Sequence, residues 1–292
     1  MKPSVAILGL GIMGSGMARR LLLSGFPLSV YSRSREKASP LAESGAFVTS
    51  SPREAAARAG IIISMVADDE ASRAVWMTPD GALAGAHKGS VLIESSTLTV
   101  SWVKELAAAA AQHACEFLDA PVTGTKPHAE SGQLLFLVGG SANAVETARP
   151  VLSVLGRDIV HLGPNGSGAL MKLINNFMAA VQTVSFGEAL ALIKAGGLDL
   201  EKAMTILTEG VPGSPMVKRV AGRVTSGDFS PHFFMRLMVK DVTYAVEEGN
   251  TRGVEMATAL AALKVFRQAL ANGYGEQDFT AIVQALNPAA DR

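Results

Sequence analysis

The chain has 292 residues, 48% of them hydrophobic and 18% charged, a composition that fits a well-packed globule of two domains and excludes a disordered chain. Basic and acidic residues number 26 each, so the zero net charge argues against nucleic acid or an anionic membrane surface as the main partner. A single cysteine, Cys115, excludes an intrachain disulfide and reads as a buried structural thiol.

No run of about 18 consecutive apolar residues is present, so no transmembrane helix is expected. Lys2 followed by VAILGLGIMG has the outline of a signal peptide, but one lysine, the early Pro3 and the glycine spacing read against it. A cytoplasmic location is the default. The histidines His87, His113, His128, His161 and His232 are scattered without metal-ligand spacing, so no metal site is expected.

In chain order, VAILGL (5–10), PLSVYS (27–32), FVT (47–49) and IIISMV (61–66) read as strands. They are followed by SVLIESS (90–96), CEFLDAPV (115–122), LLFLVGG (134–140) and DIVHLG (158–163). Helical stretches such as SPREAAARAG and TVSWVKELAAAAAQH lie between them, and this alternation predicts a parallel sheet covered by helices. Ser51-Pro52 fits an N-cap followed by proline at the first helical position, and Thr99 fits the cap of the alanine-rich helix.

After Gly163 the pattern changes. From Gly166 to Ala195 the apolar residues recur at helical spacing, and about 30 residues of helix would span roughly 45 Å, long enough to join two domains. The remainder reads as helices between glycine and proline breaks: DLEKAMTILTEG, PMVKRVAGRV, KDVTYAVEEG, ATALAALKVFRQALANG and DFTAIVQAL. Met216, Met235 and Met238 read as core packing. The expected architecture is an α/β Rossmann-type domain over residues 1–163 and an all-α domain over 164–292, joined by the long interdomain helix, with the active site in the cleft between them.

The first strand breaks into Gly9, Gly11 and Gly14 and then into a helix, the G-x-G-x-x-G turn that brings backbone N–H groups and a positive helix end against a diphosphate. Gly9 would make the tight turn, Gly11 would admit the pyrophosphate, and Gly14 would let helix and strand pack closely, with Ile12 and Met13 opening the helix. At the tip of the second strand an acid would select NAD and an arginine NADP. Here Ser32, Arg33 and Ser34 stand there, and Glu36 comes too late and is flanked by cations. NADP(H) is therefore the expected cofactor, with NAD(H) possible, although an exposed basic loop would look the same. The strand ends at Met65, Val66 and Ala67 and at Thr97 should face the same crevice.

Three further segments, DAPVTGTKPHAESGQL (119–134), GSGALMKLINN (166–176) and FSPHFFMRLMVKD (229–241), join GLGIMGSGM in a set that resembles the β-hydroxyacid dehydrogenase family over essentially the whole chain. Within it, TGTKPHAESGQLLFLVGG looks most like the glyoxylate and succinic semialdehyde reductases, which generally use NADPH. The resemblance implies Lys172 as general acid in reduction and Asn176 as the group holding the lysine and the substrate oxygen. It further implies a substrate-binding turn at Thr123, Gly124 and Thr125, an aromatic cover at Phe233, Asp241 at the substrate, and Lys240 near the cofactor. Lys172, Asn175 and Asn176 are spaced to share a helix face. A lysine is a competent donor to the oxygen that becomes negative during hydride transfer, most readily where burial lowers its pKa.

Pro127-His128 replaces a second lysine after the turn, Thr123 replaces the commoner serine, and VPGSPMV (211–217) departs from the usual loop. The expected activity is NADPH-dependent reduction of a small aldehyde acid. The alternatives are a 3-hydroxyisobutyrate- or tartronate-semialdehyde-type dehydrogenase, an imine reductase-like enzyme and a non-catalytic nucleotide-binding protein. The expected partners are a small-molecule aldehyde or hydroxy acid and further copies of the chain, as a homodimer or homotetramer.

Overall fold

The computed structural model describes residues 2–286. The chain divides into two compact units, Met1–Lys172 and Leu173–Arg292.

In the first unit the strands are β1 (Val5–Leu8), β2 (Leu28–Tyr31), β3 (Phe47–Val48), β4 (Ile61–Ser64) and β5 (Val91–Glu94). They continue with β6 (Glu116–Asp119), β7 (Val122–Thr123), β8 (Leu134–Gly140) and β9 (Gly156–Gly163). They form one sheet in the order β3-β2-β1-β4-β5-β6-β8-β7, with β9 paired to β8. β1, β4 and β5 are buried along their whole length, as expected of central strands covered on both faces. The helices around them are α1 (Ile12–Leu23), α2 (Ser39–Glu43), α3 (Pro52–Ala56) and α4 (Asp69–Trp76). Then come α5 (Val100–Gln112), α6 (Lys126–Ser131) and α7 (Ala142–Leu155).

The sheet is not wholly parallel. β6 and β7 both run antiparallel to β8, in a single register: Leu118 faces Gly140, Asp119 faces Gly139, Val122 faces Phe136 and Thr123 faces Leu135. The predicted strand at 115–122 is therefore one ladder broken in the middle. At the break the Ala120 N–H turns to the Glu94 carbonyl on β5, and Pro121 has no N–H to give, though its carbonyl still accepts from Leu137. The short helix α6 then reverses the chain, which makes the return strand antiparallel.

The long helix α8 (Ser167–Ala195) begins in the first unit and continues into the second. By length and composition it could cross a membrane, which the absence of a long uninterrupted apolar run did not suggest. In the second unit its residues Ala180, Val184, Phe186 and Leu190 are buried in a protein core. That core is completed by α10 (Pro215–Ser226), α11 (Met235–Thr251), α12 (Ala257–Ala271) and α13 (Ile282–Leu286), through Val220, Met235, Met238, Phe266 and Ile282. The remaining helix, α9 (Leu200–Glu209), buries no residue and leaves Leu200 and Ile206 exposed.

Candidate active site

The glycine turn has a distinct physical reason at each position. Gly9 has φ +102°, and a Cβ there would stand 2.3 Å from the Met65 carbonyl oxygen. A Cβ on Gly14 would stand 2.0 Å from the Gly9 oxygen, so α1 closes on its strand only with glycine at this point. A Cβ on Gly11 would meet nothing within 4 Å. Protein packing does not demand that glycine, whereas a ligand approaching the turn would.

The start of α1 fits an anion. α3, α4, α5 and α7 are capped by the side chains of Ser51, Asp68, Thr99 and Ser141. At α1 the cap is Gly11, which offers no side-chain acceptor, and the first turn, with Ile12 and Met13, holds no acid. Its positive end is left for a diphosphate. Beside it the Gly9 N–H donates to the Tyr31 carbonyl at 2.9 Å, which ties the turn to the end of β2. Ser32, Arg33 and Ser34 follow directly, with Arg33 exposed.

The ends of β4 and β5 are joined by a side chain. The Val66 N–H donates to Ser96 Oγ at 2.8 Å, and Met65, Val66, Ala67 and Thr97 are all half-buried around this link. The turn at Thr123–Thr125 is differently arranged from a simple row of hydroxyl donors. Gly124 has φ +132°, a backbone that requires glycine. Thr125 heads α6, and both its N–H (3.2 Å) and its hydroxyl (2.9 Å) meet His128 Nδ1. Since Nδ1 accepts from the N–H, it has its lone pair outward, and the Thr125 hydroxyl donates to it. An anion at this turn would rely on Thr123 and on backbone N–H groups.

The start of α8 is held by Asp119, at the end of β6. Its Oδ1 accepts from the Gly166 N–H and its Oδ2 from the Ala169 N–H, each at 2.9 Å. The carboxylate thus sits where an N-cap side chain would, against the positive helix end. Glycines make the space: a Cβ on Gly168 would stand 2.2 Å from the Leu137 oxygen, and one on Gly139 would stand 2.5 Å from Asp119 Oδ1. Burial pushes the Asp119 carboxyl above its ordinary value, with the Gly166 and Ala169 N–H groups pulling back.

Lys172 lies on the turn that follows, half-buried, one helical turn before the buried Asn176. Asn176 Nδ2 donates to Asp241 Oδ2 at 2.6 Å, and its Oδ1 accepts from Asn175 Nδ2 at 2.9 Å. Asp241 is 1% exposed, and its other oxygen pairs with Lys240 Nζ at 2.7 Å. Asp241 Oδ2 is therefore engaged by Asn176, and Oδ1 lies beside the Lys240 ammonium. Lys240 also stands 4.7 Å from the Tyr244 ring centroid. Phe233 packs edge-on against Phe279 with centroids 5.7 Å apart, and its N–H donates to the buried Asp278.

Two family descriptions match in succession. Residues 4–163 match the NAD-binding domain of 6-phosphogluconate dehydrogenase, and residues 166–286 match the NAD-binding region of NADP-dependent 3-hydroxyisobutyrate dehydrogenase. The chain belongs to the β-hydroxyacid dehydrogenase family. As a β-hydroxyacid dehydrogenase it is an NAD(P)-dependent oxidoreductase. It is 33% identical to glyoxylate/succinic semialdehyde reductase 1 of Arabidopsis thaliana, over 97% of this chain and 98% of that protein. It is also 33% identical to the NAD-dependent L-serine dehydrogenase of Pseudomonas aeruginosa, over 97% and 98%. Among solved structures, 3-hydroxyisobutyrate dehydrogenase of Mycobacterium tuberculosis with L-serine superposes with a TM-score of 0.89 at 30% identity, covering 98% of this chain and 99% of that one.

Two buried carboxyls, Asp119 and Glu94, escaped the sequence reading. Each interrupts an apolar strand, in EFLD and VLIE, and an acid inside such a run is the signal that would have found them.

Proposed function

We propose that this dehydrogenase reduces a small aldehyde acid of the glyoxylate or succinic semialdehyde class with NADPH. The observation that carries the reading is Lys172 placed one turn before the buried Asn176–Asp241 pair, on a helix whose start is fixed by Asp119. Bound cofactor supplies hydride to the carbonyl carbon. The Lys172 ammonium gives its proton to the carbonyl oxygen, so that the alkoxide charge never stands unneutralised. Asn176, locked by Asp241, keeps an amide available to orient that oxygen. Backbone N–H groups at the Gly124 turn, with Thr123, are the donors the first unit offers to a substrate carboxylate. Gly11 and the first-turn N–H groups of α1 hold the diphosphate, while Thr97 lies towards the reactive end of the cofactor.

Support for NADPH comes from Arg33, exposed directly after β2 with no acid at the strand tip. Its guanidinium can form two parallel hydrogen bonds with a 2′-phosphate, aided by the Ser32 and Ser34 hydroxyls. A second reading, oxidation of a 3-hydroxy acid or serine with NAD, is favoured by the likeness to the serine dehydrogenase. The exposed apolar side chains Leu192, Leu198, Leu200 and Ile206 support self-association as a homodimer or homotetramer.

Initial rates on glyoxylate, succinic semialdehyde, methylmalonate semialdehyde and tartronate semialdehyde, with NADPH and NADH in parallel, test the proposal. Fast NADPH oxidation with the first two is expected. Turnover confined to L-serine or 3-hydroxyisobutyrate with NAD would replace the proposal with the second reading.

A further inference from the structure

Glu94 closes β5 at 0% exposure, and burial pushes its carboxyl above the ordinary value. Its carboxyl is nonetheless surrounded by donors. Oε2 accepts from Ser72 Oγ at 2.7 Å and from Trp76 Nε1 at 2.8 Å, both on α4. Oε1 accepts from the Ser96 N–H at 3.0 Å. Ser96 Oγ in turn accepts from the Val66 N–H at 2.8 Å. Val66 in turn walls the glycine turn: a Cβ on Gly9 would stand 3.1 Å from Val66 Cγ1 and 2.3 Å from the Met65 oxygen. A line of contacts thus runs from a buried carboxyl to the backbone expected to hold the diphosphate.

We propose that Glu94 is a positioning residue for the dinucleotide: its carboxyl fixes Ser96 through the Ser96 N–H, and Ser96 sets Val66 and the wall of the Gly9 turn. This rests on the proposed dinucleotide-dependent function. The arrangement requires an acceptor oxygen on each side, which a carboxyl supplies in either protonation state. Each oxygen meets a fixed N–H, from Trp76 on one side and from the Ser96 backbone on the other. A glutamine presents an NH2 to one of the two in either orientation, and a donor then faces a donor. Packing alone would be served by glutamine, which has nearly the same shape. The oxygen pair is what the site demands.

The test measures dissociation constants for NADPH and NADH by fluorescence titration of the full chain, with a thermal melt of each variant. Glu94→Gln and Ser96→Ala are expected to weaken dinucleotide binding about tenfold or more, the effect of losing one buried hydrogen bond and stranding its donor. In steady state the KM for the dinucleotide should rise while kcat at saturation stays within about threefold. Ser72→Ala is the control. Its hydroxyl is equally buried on the same carboxyl but has no link to Val66, so binding should stay within about threefold of wild type.

Wild-type affinity in Glu94→Gln and Ser96→Ala would overturn the proposal, as would a loss in Ser72→Ala equal to that in Ser96→Ala. If Glu94→Gln fails to fold, the Ser96→Ala and Ser72→Ala pair decides. Wild-type protein that binds neither dinucleotide would overturn the functional reading and this one with it. Tight dinucleotide binding with no aldehyde turnover would remove only the substrate half of that reading.

Discussion

Replacing Asp119 by asparagine separates the fixing of α8 from the chemistry on it. The two carboxylate oxygens accept from the Gly166 and Ala169 N–H groups. An amide satisfies one of these and turns its NH2 against the other, and a buried donor left so costs about 1–3 kcal/mol. The negative charge at the positive end of α8 goes as well, worth about 0.3–1 kcal/mol and up to about 2 where partly buried. Relief of the carboxylate's own desolvation outweighs the lost charge, because burial holds the carboxyl above its ordinary value, and the stranded donor leaves a loss of about 2 kcal/mol. For a unit of this size that lowers its Tm by about 4–8 °C. Scanning calorimetry is the suitable assay, because two compact units need not melt together.

The pH dependence of that loss is also fixed in sign. Burial holds the Asp119 carboxyl above its ordinary range in the folded protein. Its stabilising contribution is then complete below the unfolded value, about 3.9, and is lost as pH rises through the folded value. The advantage of wild type over Asp119→Asn should therefore be widest in acid and narrow as pH rises. Equal stability at every pH, or an advantage that widens with pH, would refute the reasoning.

Two other perturbations follow from the same geometry. Arg33→Asp should lower the preference for NADPH over NADH by about tenfold or more, since one bidentate phosphate contact is exchanged for an acid suited to a 2′-hydroxyl; kcat/KM for both cofactors reads this directly. His232 is held below its ordinary value, first by burial and then by the neighbouring Arg223. Its stabilising contribution is present above the unfolded value near 6.5 and is lost as pH falls through it towards the folded value. Melting curves between about pH 5 and 7 should show wild type gaining on His232→Gln as pH rises, and parallel curves would count against it.

Much of this was readable from local pattern. β8 spans the predicted 134–140, Ser51 and Thr99 cap their helices as expected, and α8 starts one residue after Gly166. Each depends on neighbours in sequence: apolar runs, a capping hydroxyl, a glycine at a helix start. The antiparallel return of β8 was not readable, because it depends on which distant strand β8 pairs with. KDVTYAVEEG marked only part of α11, which begins at Met235, since the turn containing Met235 and Met238 is recognisable as helix only from its burial.

The site divides along the same line. The glycine turn, the Lys172–Asn176 spacing and the Thr123–Thr125 turn are contiguous motifs. Asn176 meeting Asp241, Asp119 meeting Ala169 and Glu94 meeting Trp76 are pairings across elements, and no spacing in the chain encodes them. The engagement of Thr125 by His128 is an i,i+3 contact and was in principle legible.

The role of Lys172 is tested most directly by single-turnover reduction of glyoxylate or succinic semialdehyde with NADPH already bound. Wild type and Lys172→Ala should bind NADPH equally, and hydride transfer in the variant should be slower by about 10²–10⁴-fold at neutral pH, the contribution of a positioned proton donor. Hydride transfer at the wild-type rate in Lys172→Ala, with NADPH bound, would contradict the assignment of Lys172 as the general acid.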